Sequence, residues 1–182
     1  MKTKSLVFTA MMTAVTVVCS LIVIPLPFSP VPFTLSLLAV FLSGALLDKK
    51  HAVMVQVIYI LLGVVGLPVF SGFRGGLGAV VGPTGGYLAA YPLMAFVTAW
   101  AAEKIGRQKW YAFYPGMALG LGLCYALGTA WLAVSANMSF GAALMAGVVP
   151  FAVLDVIKIV IAASLAPAVD RALGKLGVRQ NG

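Results

Sequence analysis

Long stretches of this chain carry no charge. Charged side chains are missing between Lys4 and Asp48, between His51 and Arg74, and between Lys109 and Asp155. A helix crossing a bilayer needs about 20 mostly apolar residues, so the first and last of these stretches each hold two crossings. The inventory agrees: 62% of residues are hydrophobic, 9% are charged and the mean hydropathy is +1.08. A soluble domain has roughly 25% charged residues. Water cannot solvate a surface built from this set. The expectation is one all-α integral membrane domain over residues 1–182, a six-helix bundle with spans near 6–24, 33–47, 52–66, 85–102, 113–135 and 148–166.

Lys2 and Lys4 before an apolar run raise the question of a signal peptide. The run continues to Ile24 without a small-x-small cleavage pattern, and Val18 before Cys19 fits a lipoprotein site poorly. The segment reads as a retained first span. Cys19 and Cys124 lie in apolar stretches without C-x-x-C spacing, so buried thiols are expected rather than metal or disulfide roles.

The connecting segments alternate in charge. Lys2 and Lys4, Lys49 and Lys50, Lys104, Arg107 and Lys109, and Arg171, Lys175 and Arg179 account for ten of the twelve basic residues. The alternate connections carry only Arg74, and Lys158 falls within a span. Cytoplasmic loops collect Lys and Arg. Both termini are therefore expected in the cytoplasm, in a multi-pass protein of the cell membrane. The net charge of +8 reads as orientation and headgroup contact, not as nucleic-acid binding.

Gly116, Gly120, Cys124 and Gly128 recur at four-residue spacing, a small-residue face that lets two helices approach closely. Ala10 and Ala14 form a similar pair on the first span.

The two connections on the far side are unusual. Pro25, Pro27, Pro30 and Pro32 make the segment 25–33, which also holds Phe28, stiff and extended. It either caps a cavity or only joins two helices. The segment 71–86 holds seven glycines (Gly72, Gly75, Gly76, Gly78, Gly82, Gly85, Gly86), which permit close approach of backbone to a ligand. It lacks the G-K-[ST] of a P-loop. Arg74 within it meets either lipid headgroups or an anionic solute.

Asp155 and Lys158 are the sharpest signal. Three residues apart, they share a helix face, in a span that opens with Pro150. Ionisable groups at bilayer depth cost about 2.5–3.5 kcal/mol each on insertion scales and mark functional sites. With the helix N-terminus outside, a pocket there meets a positive helix end, a carboxylate and an ammonium. A small polar solute suits it.

Enzyme constellations are not expected. His51 is the single histidine and adjoins Lys49 and Lys50; Asp48 and Glu103 stand at inner loops; there is no Walker motif. No His-based metal site or catalytic triad is anticipated, and no cofactor.

Several motifs together resemble a known family. Pro30-Val31-Pro32-Phe33-Thr34-Leu35, Gly66-Leu67-Pro68-Val69-Phe70, Gly82-Pro83-Thr84-Gly85-Gly86-Tyr87, and Pro150-Phe151 through Asp155 and Lys158 are similar, in order and spacing, to the biotin-specific S components of energy-coupling-factor (ECF) transporters, the BioY family. Ser36 departs from it, standing where Gln would follow Pro-Phe-Thr-Leu. The resemblance implies a six-helix membrane subunit that captures biotin from outside. It also implies a transmembrane coupling protein, contacted through Ala10 and Ala14, and two cytoplasmic ATPases. On this basis Asp155 is expected to accept ureido N–H bonds while Lys158 balances its charge or meets a ligand oxygen. Gly72, Gly75 and Gly76 with Arg74 would close over the valerate carboxylate. Thr34, Thr84 and Tyr87 would add polar contacts, and Phe33 and Trp131 would pack on the rings. Rival readings are a self-sufficient biotin or small-solute carrier, a membrane-embedded enzyme and a purely structural subunit. A self-sufficient carrier would show inverted repeats, and no convincing internal repeat is visible.

Overall fold

The computed structural model describes residues 2–175 apart from Phe28, Gln108 and Trp110. Arg179, counted above among the basic residues of the C-terminal segment, lies outside the described residues, as does Phe28 of the proline-rich segment.

The elements are α1 (Lys2–Leu21), β1 (Val23–Ile24), β2 (Phe33–Thr34), α2 (Ser36–Leu46), α3 (Lys49–Val64), α4 (Leu77–Val81), α5 (Gly85–Ile105), α6 (Tyr114–Ser135), α7 (Phe140–Gly147) and α8 (Val149–Lys175). A helix stands at each of the expected spans. Among the described residues, three stretches, Thr3–Leu21, Tyr114–Ser135 and Val149–Ala172, are long and apolar enough to cross a membrane.

The differences lie at the ends. The first and second spans were expected to be helical to Ile24 and from Phe33, but these residues are extended. Val23 pairs with Thr34 and Ile24 with Phe33 in an antiparallel hairpin. Pro25 disfavours helical backbone at Ile24, and the prolines that follow hold the loop extended. The third helix starts earlier than expected because Asp48 caps it, accepting a hydrogen bond from the His51 N–H at 2.8 Å.

Helix α5 is the centre of the bundle and packs on α2, α3 and α6. The small-residue face of α6 makes its contact with α5 possible. A Cβ on Gly116 would sit 2.8 Å from Ala101 Cβ and 3.0 Å from Thr98 Cα; Gly120 faces Met94, and Gly128 lies under the Tyr87 ring. Cys124 is wholly buried in the same row.

The basic ends of the helices gather at one end of the bundle. Lys49 pairs with Glu103 at 2.9 Å. The Arg107 guanidinium donates to the carbonyls of Ala45 and Leu47, so it caps the end of α2. Burial lowers the Arg107 pKa from its ordinary value, and Glu103 opposes that shift. His51 corrects an expectation: its Nδ1 lies 2.7 Å from Asp48 Oδ1 and its Nε2 2.9 Å from Ser5 Oγ. A Ser-His-Asp chain does assemble. Ser5 is buried on α1, so the chain ties the start of α1 to the start of α3.

Candidate functional site

The opposite end of the bundle holds the polar interior. Pro150 lies in the first turn of α8, where its missing N–H breaks no helical bond. Asp155 and Lys158 follow on one face, 1% and 4% exposed. Charges so deeply buried must be paired and hydrogen-bonded, and they are. Lys158 Nζ donates to Asp155 Oδ1 and to the Thr34 carbonyl, each at 2.7 Å. It also stands 4.1 Å from the centre of the Phe33 ring, a cation–π contact. The Tyr125 hydroxyl, from α6, donates to Asp155 Oδ2 at 2.7 Å. The β1–β2 hairpin therefore serves the site directly, because it presents the Phe33 ring and the Thr34 carbonyl to the ammonium.

A second polar row runs beside the first. Thr34 Oγ1 is 2.6 Å from Ser36 Oγ, which is 2.7 Å from the Tyr91 hydroxyl. The Tyr91 ring stacks on Tyr59 at 6.4 Å, and Tyr59 meets the edge of Phe70 at 5.4 Å. These aromatics give the interior an apolar wall with hydroxyls at its margin.

Two adjoining cavities of about 50 Å3 each occupy this region. Asp155, Lys158, Phe33, Tyr125, Cys124 and Phe151 line one; Tyr59, Phe70, Ser71, Thr84 and Ser36 line the other. Val31, Pro32, Thr34, Tyr87 and Tyr91 border both. The end of the proline-rich segment thus runs between the cavities. Ser29 fixes it to α7, donating to the Ala146 carbonyl at 2.8 Å.

Of the residues singled out in the sequence, Asp155, Lys158, Phe33, Thr34, Tyr87 and Thr84 converge here. The glycine segment reaches the cavities through Ser71 and Thr84. Gly72, Arg74 and Gly75 are exposed. Gly76 donates its N–H to the Gly63 carbonyl at 2.7 Å, and the place of a Gly75 side chain is filled by the carbonyls of Leu67 and Gly66. These glycines serve close packing of the loop. Trp131 also stands outside both cavities. Its indole N–H donates to the Gly82 carbonyl at 2.9 Å, and its side chain fills the space above Gly85 and Gly86.

Sequence reading missed Tyr125, Tyr91 and Phe151 and gave Ser36 no role of its own. A buried tyrosine hydroxyl requires a partner, so tyrosines inside apolar spans were the available signal.

Ala10 and Ala14 are exposed on α1. With Leu6, Val18, Met54, Ile58 and Leu62 they line an almost wholly apolar groove of about 600 Å3 between α1 and α3.

Residues 1–175 match the family model described as the BioY family. The chain is 45% identical over 163 residues to the biotin transporter BioY of Thermotoga maritima, covering 90% of this chain and 94% of that protein. It is 37% identical over 158 residues to the probable biotin transporter BioY of Pyrococcus horikoshii, covering 87% and 91%. Among solved structures it resembles the crystal structure of the S-component for biotin from an ECF-type ABC transporter, with a TM-score of 0.87 and 28% identity over 93% of this chain and 92% of that one.

Proposed function

We infer that this chain, which belongs to the BioY family, is the biotin-binding membrane subunit, or S component, of an ECF-type importer. The observation that carries the reading is the buried Asp155–Lys158 pair, which lines a cavity at the end of the bundle away from the basic loops.

The chemistry suits biotin, an anion with a ureido ring and an apolar thioether body. Asp155 offers about four lone-pair sites when ionised, and Lys158 and Tyr125 use one on each oxygen. One site on each remains for ureido N–H groups. Lys158 has three N–H donors and commits two of them, to Asp155 and Thr34. The third serves a ligand oxygen. The walls formed by Tyr59, Phe70, Tyr91 and Phe33 suit the thioether ring. A space of about 50 Å3 holds only a few waters, so biotin enters by lifting the 31–34 segment and joining the two cavities. The glycines that follow Ser71, which lines the second cavity, approach the valerate carboxylate on arrival.

Helices α1, α2, α3, α5, α6 and α8 supply the six crossings, the 11-residue α2 being completed by the extended residues before it, with both termini and the basic loops in the cytoplasm and the cavities facing outward. Support comes from the separation of the ends: Ser5, Asp48, Lys49, Glu103 and Arg107 join at one, and the ion pair stands at the other. The groove beside Ala10 and Ala14 receives the transmembrane coupling protein, whose two ATPases drive uptake.

Calorimetric titration of the purified chain with biotin tests the reading, together with mass spectrometry of small molecules that copurify. Saturable one-to-one binding, with uptake into vesicles only when the coupling protein and ATPases are added, is the expected result. Failure to bind biotin overturns it, and uptake by the chain alone would favour a self-sufficient carrier.

A further inference from the structure

The segment between α3 and α5 exposes apolar side chains with no role in the cavities. Phe73 is 68% exposed and Val65 81%; Leu67, Leu77 and Val81 are exposed as well. Leu77 and Val81 are four residues apart on α4 and share a face. Phe73 is held outward by the backbone. Its φ of 57° is left-handed, a conformation unfavourable for an aromatic residue. The paired N–H and carbonyl groups of Phe70 and Arg74 close the turn around it, with N–O distances of 3.0 and 3.3 Å. The turn buries Phe70 against Tyr59 and Gly63 and leaves Phe73 at its tip.

We propose that this segment is an interfacial membrane anchor: Phe73, Leu77 and Val81 insert among the lipids of the leaflet at the cavity end, with Arg74 at the level of the headgroup phosphates.

Lipid is the occupant because the patch continues the lipid-facing surface on both sides. Exposed Leu61 on α3 and Val65 just after it lead directly into it. On α6, exposed Leu127, Trp131 and Val134 lie along one face, and the Trp131 indole is bonded to Gly82, the residue that ends α4. Tryptophan is enriched at membrane–water interfaces, where an apolar ring and a polar N–H are both satisfied. Arg74 is the sole charge between His51 and Glu103 and has the sign that phosphate requires. An exposed apolar patch rimmed by one cation, continuous with two spanning helices, fits a bilayer surface.

The test places an environment-sensitive nitrobenzoxadiazole label on Phe73→Cys in a Cys19→Ala background, reconstituted in phosphatidylcholine–phosphatidylglycerol vesicles. The background protein without the Phe73 change is the blank for the buried Cys124, and a label on Lys50→Cys is the aqueous reference. Biotin titration checks that each labelled protein is folded. The proposal expects the label at position 73 to emit at shorter wavelength than the reference, to lose emission to doxyl groups on the acyl chains, and to resist iodide. It also expects Arg74→Gln to reduce the dependence of that quenching on phosphatidylglycerol. Iodide quenching equal to the reference overturns the proposal. So does a blue shift without doxyl quenching, which would identify a protein neighbour in place of lipid.

Discussion

The Tyr125 hydroxyl donates to Asp155 Oδ2 at 2.7 Å, bridging α6 and α8. Lys158 holds the other carboxylate oxygen, so the acid is clamped from both sides before any ligand arrives. The two clamps differ in kind. Lys158 neutralises the charge, whereas Tyr125 fixes the direction of the carboxylate and leaves one acceptor position free on that oxygen.

Tyr125→Phe therefore separates orientation from charge. A hydrogen bond to a charged group is worth about 1.5–3 kcal/mol, and the variant should lose a comparable amount of stability. Biotin affinity should fall by up to about tenfold, because the carboxylate keeps its charge and loses its aim. Thermal unfolding in detergent and biotin titration measure the two effects. Parent-like values in both would show the bond to be irrelevant.

Asp155→Asn and Lys158→Ala each leave an uncompensated polar group at a site less than 5% exposed. Removing one partner of a buried pair costs roughly 3–5 kcal/mol, whereas replacing both by apolar residues is often neutral. Each single variant should melt well below the parent and bind biotin at least about a hundredfold more weakly. The double variant Asp155→Leu/Lys158→Met should recover most of the stability and none of the binding. If the double variant is as unstable as the singles, the pair holds the fold by more than its mutual charge.

The helices were legible in the sequence because charge is absent between Lys4 and Asp48 and between Lys109 and Asp155, and a lipid solvent enforces that pattern. The ion pair was legible because a three-residue spacing fixes a shared face. Tyr125 was not. It follows Cys124 in the chain, and one residue of helix turns the side chain about 100°, away from the small-residue face that meets α5 and toward α8. Seeing this requires knowing which helix stands there. The packing role of the glycine segment was illegible for a related reason. Glycine shows that something comes close, and at Gly75 the close neighbour is the chain's own backbone at Gly66 and Leu67.

The small-residue face of α6 yields a contrast within one helix. A side chain on Gly116 would collide with Ala101 and Thr98, while Gly122 faces open space. Gly116→Val should destabilise the protein by about 1–3 kcal/mol, the usual range for overpacking. Gly122→Ala should be neutral or slightly stabilising, because alanine favours the helix by about 1 kcal/mol over glycine. Unfolding temperatures of the two variants decide this. Equal effects would mean that α5 and α6 are not held at the distance described.

The groove on α1 separates binding from coupling. Ala10 and Ala14 are exposed and lie at the apolar groove, whereas the cavity beside Asp155 is built from the hairpin, α2, α5, α6 and α8, and α1 reaches the second cavity only at Ser20, near its far end. A tryptophan at either alanine fills part of a groove of about 600 Å3 and touches none of the residues around Asp155. It is also an acceptable residue on a lipid-exposed surface. Ala10→Trp and Ala14→Trp should therefore leave biotin affinity and melting temperature near the parent values while abolishing copurification with the coupling protein and ATP-driven uptake. Uptake at the parent rate would remove the groove from the coupling path, and a loss of biotin affinity would show that α1 reports on the cavity.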